Sequence, residues 1–249
     1  FTLQVVQVHR AEATILSPLP ESGECIVSMN VSEPQRILLR LENPGNGQDE
    51  YLLSGVSIAG AGMTSAPEVE FQLYNPQRTL GPLATTIATG DVTLSQEIPA
   101  QTPFQLAFTW QSIINESATI TVNMDVEAEP DHQWDLDLQG GHAINVIPSQ
   151  LLELNMTVTN IGNSADELTM KPSFSIVHSG NDISIWSAQE ISSALIEINA
   201  STNMVLPVFI PSNTWAGTEA TMTIDLYSGA LMIGQTTVNM SVDHVSGWR

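Results

Sequence analysis

The chain has 249 residues, of which 42% are hydrophobic and only 13% charged, about half the usual charged share. Acidic residues outnumber basic ones 27 to 6, for a formal net charge of −21. That balance argues against nucleic acid and anionic lipid, which need basic patches, and the apolar content argues against a disordered chain.

Taken in order, the first element is Phe1-Thr2-Leu3-Gln4-Val5-Val6-Gln7-Val8, an alternating stretch of strand type. Residues 1–19 are expected to form a leading strand or the end of a preceding domain. Cys25 is the only cysteine, so no intrachain disulfide is available. Its setting, Glu24-Cys25-Ile26-Val27, suits a small buried hydrophobe. Arg36-Ile37-Leu38-Leu39-Arg40-Leu41 then leads into a turn, Asn43-Pro44-Gly45-Asn46-Gly47-Gln48-Asp49-Glu50. Gly45 is expected at positive φ, with Asn46 bonding locally. Further runs with a period of two follow at Glu68–Tyr74, Asp91–Ile98, Phe104–Trp110 and Thr119–Val126, as half-buried strands require. Trp110 falls in phase with Phe104, Leu106 and Phe108 and belongs to a core.

The pattern then starts again. Asn160-Ile161-Gly162-Asn163-Ser164-Ala165-Asp166-Glu167 repeats the first turn 117 residues later, and Thr237-Val238-Asn239-Met240-Ser241-Val242 repeats Thr121–Val126 116 residues later. Two anchors with nearly one offset define a tandem repeat. Domains are expected over residues 1–128 and 129–249, meeting at the acidic, proline-containing stretch Glu127–Asp131. Leu152–Val158, Met204–Ile210 and Thr221–Leu226 supply alternating strands of the second copy. The fold class is therefore all-β, two tandem immunoglobulin-like β-sandwich domains.

The strand followed by Asn-x-Gly-Asn-x-x-Asp-Glu, with Val205-Leu206-Pro207-Val208-Phe209-Ile210-Pro211 and Trp215-Ala216-Gly217-Thr218 in the second copy, resembles the CARDB and NEW3-like modules of archaeal and bacterial cell-surface proteins. The first copy keeps the turn but lacks the Ala-Gly step. The resemblance implies seven-stranded sandwiches that act as spacer, adhesion or presentation modules, with no shared catalytic residues. It also implies an extracellular or cell-surface location, and the acidic, lysine-poor composition fits a marine or halophilic organism. Expected partners are neighbouring domains of the same polypeptide, or a surface protein or glycan. The abrupt ends read as those of a segment cut from a longer protein.

Chemistry-bearing motifs are scarce. His9, His132, His142, His178 and His244 form no metal-type spacing, and no nucleophile elbow, P-loop or dinucleotide fingerprint occurs. No enzyme activity is expected. Ser179-Gly180-Asn181-Asp182 has hydrolase-like letters in a turn-like setting. Asp125, Glu127, Glu129, Asp131, Asp135 and Asp137 cluster at the domain junction. They form a candidate calcium site, because calcium takes six to eight hard oxygens, though acids at alternate strand positions equally suit a solvated face. Asp49-Glu50 and Asp166-Glu167 are a second candidate. No other cofactor is suggested. Trp186 and Trp215, in loop-like settings, are candidate platforms for a carbohydrate ligand. Asn-x-Ser/Thr sequons stand at Asn30, Asn115, Asn155, Asn199 and Asn239. No segment approaches the roughly 20 apolar residues of a membrane span, so direct membrane insertion is not expected. Self-assembly by strand addition, with residues 1–8 as donor, is a further alternative.

Overall fold

The computed structural model describes residues 6–20, 26–60 and 69–244, with the side chains of 54–60 outside that description. The chain divides into two compact units, Phe1–Asp131 and His132–Arg249. This division lies three residues beyond the expected one. Strand β9 ends at Ala128, but the Glu129 N–H still bonds the Met29 carbonyl, so the chain leaves the first unit later than its composition suggests.

The first unit contains β1 (Glu12–Ser17), β2 (Val27–Met29), β3 (Pro34–Glu42), β4 (Asp49–Gly60), β5 (Val69–Leu73), β6 (Gln77–Leu80), β7 (Thr85–Leu94), β8 (Phe104–Ser112) and β9 (Thr119–Ala128). The second contains β10 (Trp134–Leu138), β11 (Ala143–Val146), β12 (Leu151–Asn160), β13 (Leu168–Val177), β14 (Ser187–Ala188), β15 (Ile191–Ser192), β16 (Ser201–Phe209), β17 (Glu219–Ser228) and β18 (Leu231–Val242). Each unit is a sandwich of a four- and a five-stranded sheet. Their orders are β1-β3-β7-β5 with β2-β9-β8-β4-β6, and β10-β12-β16-β14 with β11-β18-β17-β13-β15. Adding nine to each strand of the first unit gives the second unit's order without exception. The repeat is thus one topology built twice.

Among the described residues each unit has nine strands, not the expected seven. The additional strands are short: β2 and β11 pair in parallel with the last strand of their unit, and β14 and β15 are two residues each. Such pieces are too brief to leave an alternating signature. The expected leading strand also differs. Residues 1–5 lie outside the description, residues 6–11 join no sheet, and β1 starts at Glu12.

Alternation places the cores. Phe104, Leu106, Phe108 and Trp110 all point inward from β8, and Trp110 has no exposed surface. Phe108 meets Phe71 of the opposite sheet with ring centroids 5.4 Å apart. In the second unit Leu154, Met156 and Val158 of β12 pack with Met204, Leu206 and Val208 of β16 and with Met222 and Ile224 of β17. Each such side chain, fully buried, contributes about 1.5–3 kcal/mol.

Two prolines guard open edges of the second unit. The Ile210 N–H bonds the Gln150 carbonyl and the Asn160 N–H the Ala200 carbonyl, so even-numbered residues of β16 face β12 and odd-numbered ones face away. On that outer side β14 covers only Val208 and Phe209, and the next outward residue is Pro207, which has no N–H to offer. On β13, the Leu168 carbonyl accepts from Ser193 N–H, so even residues face β15, which covers only Thr169 and Met170. The next outward residue is Pro172. Both prolines therefore stand where an added strand would need a donor. Pro207→Val is expected to restore that donor and produce concentration-dependent self-association, read as a rise in mass by light scattering. A Pro207→Val chain with unchanged mass at every concentration would show that the edge is blocked by other means.

Candidate functional site

The most elaborate polar construction occurs once in each unit, at the Asn-x-Gly-Asn turn. Asn43 and Asn160 are essentially fully buried. Asn43 Nδ2 donates to the carbonyls of Gly47 (2.9 Å) and Leu80 (3.0 Å), and its Oδ1 accepts from the Gly45 N–H at 2.9 Å. Asn160 does the same with Ser164 (2.8 Å), Ile196 (3.0 Å) and Gly162 (3.0 Å). One side chain thus closes the turn and ties it to a neighbouring strand or loop. The glycine serves a purpose other than the expected one. Gly45 is not among the positive-φ residues. A Cβ there would lie 2.2 Å from the Val8 carbonyl oxygen, so glycine is required for the close approach of the incoming chain.

That incoming chain is fastened to the turn. In the first unit Asn46 Oδ1 accepts from the Val8 N–H at 2.7 Å and Asn46 Nδ2 donates to the Val6 carbonyl at 2.9 Å. In the second, the N–H groups of Ile161 and Gly162 both donate to the Gln133 carbonyl. A histidine completes the clasp. His9 Nδ1 lies 2.8 Å from Asp49 Oδ2, and His132 Nδ1 lies 2.8 Å from Asp166 Oδ2. Serine joins each pair: Ser112 Oγ donates to Asp49 Oδ1 at 2.7 Å, and Ser228 Oγ lies 3.1 Å from His132 Nδ1. Burial works to raise the Asp49 carboxyl, but the bonds from Ser112, His9 and the Glu50 N–H outweigh it and hold the group below its ordinary value. Burial, then the Asp49 carboxylate, pushes the Tyr51 phenol up, and its hydroxyl donates to the Arg10 carbonyl.

Serine, histidine and aspartate therefore converge twice, without the geometry of a proton relay. A triad needs serine on one ring nitrogen and carboxylate on the other. Here serine meets the carboxylate itself, or the same Nδ1 that the carboxylate meets. The arrangement can fasten a segment, and sequence reasoning missed it because residues 9, 49 and 112 meet only through the topology. The available signal was a histidine near the start of each unit.

The remaining expected positions separate. Asp49 turns inward on the clasp, and neighbouring Glu50 accepts from Thr79 and Gln77. The Asp49-Glu50 pair therefore does not aim its carboxylates together, because adjacent strand residues face opposite ways. Asp125 accepts from Gln105 at 2.9 Å, Glu127 from Ser28 at 3.3 Å and Asp131 from Gln96 at 3.2 Å. Glu129 is exposed, and Asp135 and Asp137 alternate on the solvent side of β10. Among the described residues no three His, Cys, Asp or Glu side chains gather as a metal site. Cys25 lies outside the described residues. Trp186 is buried in the second core, 6.3 Å from the Phe174 ring, so it offers no face to a sugar. Trp215 is 49% exposed and packs over Gly180, where a Cβ would come within 2.8 Å of the indole.

Beneath Trp215 lies a buried carboxylate. Asp182 Oδ1 accepts from the Ser184 N–H (2.7 Å), and Oδ2 from Thr218 Oγ1 (2.7 Å) and the Trp215 N–H (3.1 Å). His178 Nδ1 lies 3.4 Å from Oδ2. Burial opposes ionisation, but the Thr218, Ser184 and Trp215 hydrogen bonds prevail and hold this carboxyl well below the usual range. The hydrolase-like letters at 179–182 thus belong to a loop anchor. Of the sequon asparagines, Asn30, Asn155, Asn199 and Asn239 are exposed and Asn115 is half-buried.

No family model matches the sequence, and no curated protein is similar to it. Among solved structures the chain is similar to red sea bream transglutaminase (12% identity, 96% of this chain and 32% of that one, TM-score 0.33). It is also similar to the periplasmic chaperone SfaE (14%, 93% and 100%, TM-score 0.29) and to a secreted serine protease of Vibrio cholerae (10%, 80% and 49%, TM-score 0.28). The chain spans about half the length of that protease.

Proposed function

We propose that the chain is a non-catalytic spacer or presentation segment of a larger surface-displayed protein, in the manner of the CARDB and NEW3-like modules that its turns resemble. The observation that carries this reading is the clasp, built twice from buried and half-buried polar side chains. Riveting the incoming chain to the same turn in both domains suits a spacer, which gains from firmly held connectors. Only Pro130 and Asp131 lie between Glu129, whose N–H bonds Met29 of the first unit, and His132, the first clasped residue of the second.

Limited proteolysis with an enzyme that cuts after glutamate and aspartate tests this. Cleavage after Asp131 is expected to be slow in the intact chain and to accelerate at least several-fold in Asp166→Ala, which releases His132, with both units still folded. Cleavage of the parent chain at the rate of an unstructured peptide would overturn the reading.

A further inference from the structure

The five sequons differ in one respect that sequence does not reveal, namely where the hydroxyl at the third position goes. Thr157 Oγ1 donates to Asn203 at 3.0 Å, Ser201 Oγ pairs with Thr159 at 2.8 Å, and Ser241 Oγ donates to Asn145 at 2.8 Å. Those three hydroxyls are committed to neighbouring strands. At Asn30, Nδ2 itself donates to Glu33, and Ser32 is held at a φ of 60°. Ser117 behaves otherwise. Its Oγ donates to Oδ1 of Asn115 in the same sequon at 2.7 Å, and its N–H donates to the same oxygen at 3.3 Å.

This sequon sits in the connection between β8 and β9. The loop is fixed by Ser112 Oγ, which accepts from the Asn115 N–H at 3.0 Å, and by the Asn115 carbonyl, which accepts from Ala118 at 2.8 Å. Ile114, Glu116 and Ser117 are exposed around it. The carboxamide and hydroxyl are therefore presented together on one solvent-facing turn. An amide nitrogen is a poor nucleophile because its lone pair is delocalised onto oxygen. Two donors on Oδ1 stabilise the negative charge that gathers there as Nδ2 gives up a proton, and it is this imidate whose nitrogen lone pair is free to attack.

We infer that Asn115 is an N-glycosylation site, the substrate class being a lipid-pyrophosphate-linked oligosaccharide. Nδ2 attacks the anomeric carbon, the C–N bond forms as the C–O bond to pyrophosphate breaks, and the lipid pyrophosphate leaves with the electron pair. The Nδ2 proton passes to a base of the transferring enzyme. In the folded chain Asn30, Asn155, Asn199 and Asn239 are poor acceptors by comparison. Asn155 Nδ2, the nitrogen that would attack, donates to the Glu153 carbonyl, and at Asn199 and Asn239 the sequon hydroxyl is turned to another strand.

The experiment is to incubate the folded chain with a single-subunit oligosaccharyltransferase and a synthetic lipid-pyrophosphate disaccharide. A short Asn-x-Thr peptide in a parallel reaction establishes that the enzyme is active. Intact-mass and peptide spectrometry should show one disaccharide, carried on the peptide that contains Asn115. Ser117→Ala, which leaves the asparagine in place, should reduce occupancy at least tenfold, and Asn115→Gln should abolish it. Modification confined to any of the other four asparagines would overturn the assignment. So would an unmodified chain beside a modified control peptide, or full occupancy in Ser117→Ala.

Discussion

Asp182→Ala is expected to destabilise the second unit by about 3–5 kcal/mol, because it strands two buried donors and one half-buried donor at once. Thr218 Oγ1 and the N–H groups of Ser184 and Trp215 all converge on that carboxylate, and the first two bonds are buried. Asp182→Asn, nearly the same shape, should cost less, since one oxygen can still accept from Ser184 while the amide meets Trp215 and Thr218 donor to donor. Acid unfolding gives an independent check. The folded-state carboxyl is held below its unfolded value of about 3.9, so its stabilisation is present above that value. It is lost as pH falls through the lower, folded value. The parent chain should lose stability on acidification below about pH 4, and Asp182→Asn should lack this component. Denaturant unfolding followed by tryptophan fluorescence reads it out, because Trp134, Trp186 and Trp215 report on the second unit.

The second large effect is expected at the buried asparagines. Asn160→Ala leaves the Ser164 carbonyl without its partner and takes one of two hydrogen bonds from the Ile196 carbonyl, which keeps the Asp166 N–H, and from the Gly162 N–H, which keeps the Gln133 carbonyl, at about 1–3 kcal/mol. Asn43→Ala should cost the first unit a similar amount. The sharper comparison is Asn160→Asp. If the residue merely filled space, aspartate would substitute almost freely. Because Nδ2 is a double donor to two carbonyls, a carboxylate there places oxygen against oxygen, and Asn160→Asp should be at least as damaging as alanine. Calorimetry of the intact chain, with one transition moving and the other fixed, checks both. Asn160→Asp with unchanged unfolding would refute the double-donor role.

Much of this architecture is legible in the sequence, for local reasons. Strands such as β8 and β12 alternate over nine or ten residues, and the two turns repeat five of nine letters, so two β-sandwiches follow from pattern alone. What is not legible depends on contacts between distant residues. Asn43 reads as an ordinary turn residue until the topology brings Leu80 beside it. Gly45 reads as a positive-φ glycine until Val8 crosses its α-carbon. Trp186 sits one residue before a two-residue strand, so no alternation reveals that it faces the core. The acids at 125–137 look like a cluster along the chain, but Asp125, Glu127 and Asp131 each accept from a different partner.

The parallel pairing of each unit's second strand with its last has a mechanical consequence. Ala143–Val146 runs alongside Asn239–Val242 in the same direction, and Val27–Met29 runs alongside Val126–Ala128. Tension applied to the two ends of a unit draws such strands past each other along their length, so the bonds between them share the load. A hairpin pulled from its open end would instead lose its bonds singly. The histidine clasp stands in series ahead of that shear patch and meets the force first.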